Sequence, residues 1–132
     1  LDVSADLPYL DCAYKLTEYR GEPRRKRSTG KATLPGRKQV FRRYEGGVIR
    51  DDVLTLADDD HAGTPLLEPV MRDGRRLTPS PPLSQVRAYA REQLGTLPPW
   101  LRALRVEAAR PVVVAPALHA CAERADRLRE SR

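Results

Sequence analysis

Aromatic residues, histidine and cysteine are scarce in this chain, and each shortage closes off a class of function. Among 132 residues there are five Tyr, one Phe, one Trp, two His and two Cys. Cys12 and Cys121 stand far apart, with neither a Cys-x-x-Cys pair nor a His-Cys cluster. That spacing supports neither a zinc site nor a disulfide framework, and two reduced, partly buried thiols are expected. His61 sits in the acidic loop Asp58-Asp59-Asp60-His61-Ala62-Gly63 and reads as part of a solvated turn, while His119 reads as a boundary position on the closing helix. Ser4, Ser28, Ser80 and Ser84 lack a nucleophile-elbow pattern, so no hydrolytic constellation is visible. No apolar run approaches the ~18 residues of a membrane helix, which predicts a soluble, cytoplasmic protein with no membrane partner. The opening Leu1-Asp2-Val3-Ser4-Ala5-Asp6 has neither the basic start nor the apolar core of a secretory signal. It begins with Leu rather than Met and reads as starting partway through a longer protein.

What the chain does have is positive charge in one place. The formal net charge is +6, yet ten Lys or Arg residues and a single acid, Glu22, lie between Arg20 and Arg43. Elsewhere the signs nearly cancel, and acids cluster at Asp51-Asp52 and Asp58-Asp59-Asp60. Such asymmetry points to phosphate or nucleic acid. Only Phe41 and Tyr44 are near enough to interleave with the cations, too few for a base-stacking platform, so nucleic acid is the weaker reading.

The length suits one structural unit spanning residues 1–132, because the apolar fraction can fill one modest core but not two. The expected fold class is α+β. A β-rich part, residues 1–78, is mainly antiparallel, and a helical part, residues 79–132, carries two or three helices and one short strand. In the first part, residues 13–19 alternate polar and apolar side chains as a half-buried strand does, and Arg20-Gly21-Glu22-Pro23 turns it into a returning strand through Lys26. Lys38 to Tyr44 is a second strand, Glu45-Gly46-Gly47 a turn, and Val48 to Ala57 its partner. Asp73-Gly74 supplies the two-residue turn of a further hairpin between Leu66–Met71 and Arg75–Leu77. In the second part Ser80 can cap a helix starting at Pro81, with Leu83, Val86, Ala90 and Leu94 at helical spacing. Trp100 is expected to anchor to the core and Val112-Val113-Val114 to form an interior strand. Ala117 to Arg129 closes the chain as a helix with Leu118, Cys121, Ala125 and Leu128 on one face.

Phosphate binding is the chemistry nearest to support. Ser28-Thr29-Gly30-Lys31 combines hydroxyls, a flexible backbone and an ammonium that can all donate to phosphate oxygens, without the spacing of a Walker loop. Leu34-Pro35-Gly36-Arg37 fits a type II turn, after which Lys38, Val40 and Arg42 share one face of a strand and Gln39, Phe41 and Arg43 the other. Phe41 is expected inward. A solvated edge strand guarded by its cations fits the same composition.

The run from Tyr14 to Ser28, continued by Lys31-Ala32-Thr33-Leu34-Pro35-Gly36-Arg37-Lys38-Gln39-Val40-Phe41-Arg42, resembles the C-terminal region of the nicotinate phosphoribosyltransferases. Asp52 to Leu56, Gly63 to Leu67, Pro69 to Arg76, Leu94 to Leu101, and Pro111 to Val114 with Leu118 resemble that family's following segments in order. Such enzymes join nicotinate to phosphoribosyl pyrophosphate with coupled ATP hydrolysis, the entry step of NAD salvage. The resemblance implies a homo-oligomeric intact enzyme whose irregular TIM-like barrel, phosphorylated histidine, Mg²⁺ and phosphate loops lie upstream. It implies no catalytic residue, metal or cofactor in this segment and little activity for the segment alone. Its partner would be that upstream catalytic region. Beside anionic substrates the cations acquire a task, and Lys26, Ser28, Lys31, Lys38 and Arg42 become the phosphate- or substrate-facing candidates, with Pro35 and Gly36 as a structural turn. A capping or dimerising role for the whole segment is the structural alternative.

Overall fold

The computed structural model describes residues 15–30, 32–103 and 112–130. Its strands are β1 (Glu18–Tyr19), β2 (Glu22–Pro23), β3 (Lys38–Glu45), β4 (Val48–Leu56), β5 (Thr64–Pro65), β6 (Met71–Arg72), β7 (Arg75–Arg76) and β8 (Val112–Val114). Its helices are α1 (Leu83–Gly95) and α2 (Pro116–Glu130), with a 3-10 turn at Pro99–Leu101. The elements make an α+β fold whose strand pairs are mostly antiparallel.

The centre is the long β3–β4 hairpin. Gly46 and Gly47 both hold positive φ, 56° and 79°, the twist that a two-residue hairpin turn demands and that side chains resist. Phe41 stands opposite Val53 and Val40 opposite Leu54, so the alternation seen in the sequence becomes two faces of one ribbon. Register slips between Arg43 and Tyr44, where Arg43 pairs with Asp51 and Tyr44 with Ile49. Strand β5 adds beside β3, and β8 adds beside β4 in parallel, giving the order β5-β3-β4-β8. The chain turns at Ala115 into α2, which packs back against β4 and β2. There Leu118, Cys121 and Ala122 are buried, and Phe41, Ile49, Val53 and Ala115 complete a small core.

Several expectations are corrected. The strand expected over residues 13–19 is confined to Glu18–Tyr19 within the described residues; Ala13 lies outside them. The returning strand stops at Pro23 rather than running through Lys26, since proline brings no N–H to extend a ladder. Helix α1 starts at Leu83, and Pro82 occupies its cap position without a side-chain hydrogen bond. Pro81 precedes another proline, which drives it out of the helical region, so Ser80 cannot cap there. The β6–β7 hairpin forms about its Asp73-Gly74 turn but shorter than expected. Strand β8 is an exposed edge, with Val112 56% accessible, instead of an interior strand. Trp100 is 42% accessible and lies outside the buried core. Helix α1 has the expected periodicity, yet none of its residues is buried. Cys121 is a free, buried thiol, and Cys12 lies outside the described residues.

Candidate functional site

The cationic segment folds around one carbonyl. Arg20 and Gly21 take positive φ, 52° and 75°, and reverse the chain between β1 and β2. The Thr17 oxygen then accepts from the Arg24 N–H at 2.9 Å and from the Gly36 N–H at 2.7 Å, which pins the two predicted turns to each other. Beyond Arg24 the chain leaves as a loop closed at its neck: the Lys26 N–H donates to Thr33 Oγ1 at 2.9 Å, and the Thr33 N–H donates to the Lys26 oxygen at 3.0 Å. Between this loop and the β1 side lies a concavity of about 610 Å³ lined by Lys15, Arg24, Arg25, Lys26, Gly30 and Thr33 among others. Among the described residues no carboxylate lines it.

Helix α2 organises its rim. Asp126 Oδ1 lies 3.1 Å from Arg25 Nε and 3.7 Å from Arg27 Nε. The Arg25 contact lies off the hydrogen-bonding direction, so it is an ion pair whose two buried atoms keep hydrogen-bonding capacity. Arg24 pairs with Glu22.

The five predicted site residues do not converge. Lys26 stands at the concavity, and Ser28 is exposed at the tip of the loop. Lys31 lies outside the described residues. Lys38 turns back instead: its ammonium donates to the Leu34 oxygen at 2.9 Å and to the Gly36 oxygen at 2.6 Å, clamping the Pro35-Gly36 turn. Burial lowers its pKa from the usual lysine value, with the nearby Cys121 opposing. Arg42 reaches across the hairpin to buried Asp52 in a forked pair, Nε to Oδ1 at 3.0 Å and a terminal nitrogen to Oδ2 at 3.2 Å. That hydrogen bonding raises the arginine's pKa further. Arg43 makes the same fork with Asp51 on the opposite face, and its hydrogen bond holds the Asp51 carboxyl below the ordinary range.

The acidic loop after β4 is a latch. Asp59 Oδ2 accepts from the Thr55 hydroxyl and meets His61 Nε2 at 3.0 Å, and these bonds lower the Asp59 pKa. The His61 ring lies 6.0 Å from that of Phe41, so the loop folds over the core rather than presenting a base. His119 is exposed on α2. Among the described residues no group of three or more His, Cys, Asp or Glu side chains converges to hold a metal, and no helix is long and apolar enough to cross a membrane. The sequence reading missed Lys15, Arg24 and Arg25 as lining residues and Asp126 as their organiser. The charge run signalled the arginines; nothing local signalled Asp126, about a hundred positions away in the chain.

Comparison with known proteins finds similarity to one enzyme family. The family model described as nicotinate phosphoribosyltransferase C-terminal domain matches residues 59–121. A nicotinate phosphoribosyltransferase of Mycobacterium tuberculosis, pncB2, is 49% identical over 105 residues, covering 79% of this chain and 23% of that protein. The Bos taurus nicotinate phosphoribosyltransferase is 33% identical over 143 residues, covering 89% of this chain and 27% of that protein. The crystal structure of human nicotinic acid phosphoribosyltransferase aligns with a TM-score of 0.72 and 29% identity, over 84% of this chain and 26% of that one. The chain thus spans about a quarter of the length of the relatives it matches.

Proposed function

We propose that this chain, which corresponds to the C-terminal region of the nicotinate phosphoribosyltransferases, completes such an enzyme, forming nicotinate mononucleotide from nicotinate and phosphoribosyl pyrophosphate with ATP in NAD salvage. Similarity running through 79% to 89% of the chain to the C-terminal quarter of its relatives carries this reading. The exposed apolar side chains of residues 66–100 support it. Leu67, Val70, Met71, Leu83, Tyr89 and Leu94 stand open to solvent, the kind of exposed apolar side chains that mark an interaction surface. The catalytic remainder of the enzyme is the partner that would cover it. Substrates, Mg²⁺ and ATP are held by that remainder in this reading, since the described residues offer neither a nucleophile with its base nor a carboxylate set for magnesium. The segment by itself is then inactive, for it lacks the groups that orient substrate and stabilise departing pyrophosphate. A cytoplasmic, homo-oligomeric enzyme goes with the same reading. A general nucleic-acid module is disfavoured, because Arg42 and Arg43 are already forked onto carboxylates.

A chimera tests it. The Mycobacterium tuberculosis relative with its matching C-terminal quarter replaced by this chain should form nicotinate mononucleotide, whereas this chain alone should form none. A folded chimera without activity would overturn the assignment.

A further inference from the structure

We infer that the β6–β7 hairpin is a docking arm for an acidic segment of the catalytic remainder of the enzyme, one that sets carboxylates against Arg72 and Arg75 and apolar side chains against Val70 and Leu77. This rests on the reading of the chain as the C-terminal part of a nicotinate phosphoribosyltransferase, and it adds the chemistry of the surface that the chain meets.

The hairpin is a sheet of its own. Strands β6 and β7 pair with each other and with no other strand among the described residues. The Leu77 N–H donates to the Val70 oxygen at 3.0 Å and lengthens the ribbon by one step. Asp73 and Gly74 both hold positive φ, 49° and 74°, which gives the tight reversal of a two-residue hairpin turn. A two-stranded ribbon that stands alone is marginal in water, and this one is exposed from Val70 to Leu77. Burial against a partner is what such a ribbon lacks.

Its side chains say what the partner carries. Arg72 stands directly opposite Arg75, and by alternation Val70 and Leu77 share that face, while Met71 and Arg76 take the other. Like charges directly opposite each other repel. Among the described residues neither arginine makes a hydrogen bond or ion pair, although Asp73 and Glu68 are close in the chain. On β3 the arginines are treated differently, for Arg42 and Arg43 each fork onto a carboxylate across the strand. Two neighbouring guanidinium groups present forks that fit carboxylates and lose their mutual repulsion when those arrive. The apolar base of the same ribbon runs into a hollow of about 560 Å³ between residues 64–70 and α1, lined by Tyr44, Leu66, Val70 and Tyr89 among others. A free phosphate satisfies the arginines and leaves that hollow open, whereas a protein segment covers both. Arginine beside exposed aromatic and aliphatic side chains is also the composition of a protein interface.

The chimera of the Mycobacterium tuberculosis relative carrying this chain, set beside the isolated 132-residue chain, tests the inference. Arg75→Glu puts opposite charges across the ribbon, so the isolated chain should keep or raise its urea midpoint, while both guanidinium groups are withdrawn from the partner. In the chimera the same substitution should speed chymotrypsin cleavage at Tyr89 under native conditions about tenfold, because losing charge-assisted contacts raises the undocked population. Arg72→Glu should act alike. An active chimera whose cleavage neither substitution changes would overturn the inference and leave the proposed function standing. A folded but inactive unsubstituted chimera would overturn the proposed function and this inference with it. A lower urea midpoint in the substituted isolated chain would assign the arginines to the chain's own fold, and isolated-chain dimers that either substitution dissociates would make the occupant a second copy; each result overturns the inference.

Discussion

Gly36 holds φ at 78°, and a β-carbon built on it would stand 2.9 Å from Leu56 Cδ2 and 3.3 Å from Cys121 Sγ. Two penalties therefore coincide for any side chain: the left-handed backbone, which alone costs an L-residue about 1–2 kcal/mol, and crowding where α2 meets the sheet. Gly36→Ala should destabilise the chain by about 2 kcal/mol in chemical denaturation; an unchanged midpoint would show that the turn relaxes freely. The need for glycine was legible from Pro35-Gly36, but the ammonium of Lys38 that clamps the same turn was not. Its two carbonyl partners come together only once the turn exists. Asp51 and Asp59 contribute to the acid dependence of the fold. Hydrogen bonds from Arg43 to one, and from Thr55 and His61 to the other, lower their pKa values in the folded chain. Their contribution is therefore complete above the unfolded carboxyl pKa of about 3.9 and fades as pH falls through the lower folded values. Urea unfolding followed from pH 7 to pH 3 should show that loss, and the double variant Asp51→Asn with Asp59→Asn should flatten it. An equally steep acid limb in the variant would assign the dependence to other groups.

At the scale of elements, local signals and tertiary signals separate. The β3–β4 hairpin was legible because period-two alternation, β-branched residues and a Gly-Gly turn agree with one another. Its flanking strands were not. β8 is as apolar as any interior strand, yet it lies at an edge, and apolarity alone does not say which side of a sheet a strand will join. Helix α1 shows the gap most clearly: its periodicity marks a helix with one apolar face, and the fold leaves that face open, with Leu83 62% and Leu94 61% accessible. A hydrogen bond from the Ile49 N–H to the Thr96 oxygen, 2.8 Å, ties the helix C-terminus to the sheet. Leu83→Gln with Leu94→Gln should then change the unfolding free energy of the chain by no more than about 0.5 kcal/mol. The same pair should reduce self-association in sedimentation velocity. A loss of several times that free energy would mean the face is packed within the chain.

For the molecule as a whole, a small core carries a surface made for company. Among the described residues the sheet and α2 enclose a small apolar core, while Leu67, Val70, Met71, Leu83, Tyr89 and Leu94 stay exposed. The amino-acid sequence by itself determined the α+β class, the central hairpin, the two helices and the relationship to a C-terminal enzyme region, because periodicity, turn residues and ordered motifs are local properties of the chain. Only the tertiary structure decided what the cations do. Whether an arginine is free to meet a ligand depends on which carboxylate lies across the strand or along the helix: Asp52 takes Arg42, Asp51 takes Arg43, and Asp126 arranges Arg25. Those distances are set by register and packing between residues far apart in the chain, which no local pattern encodes.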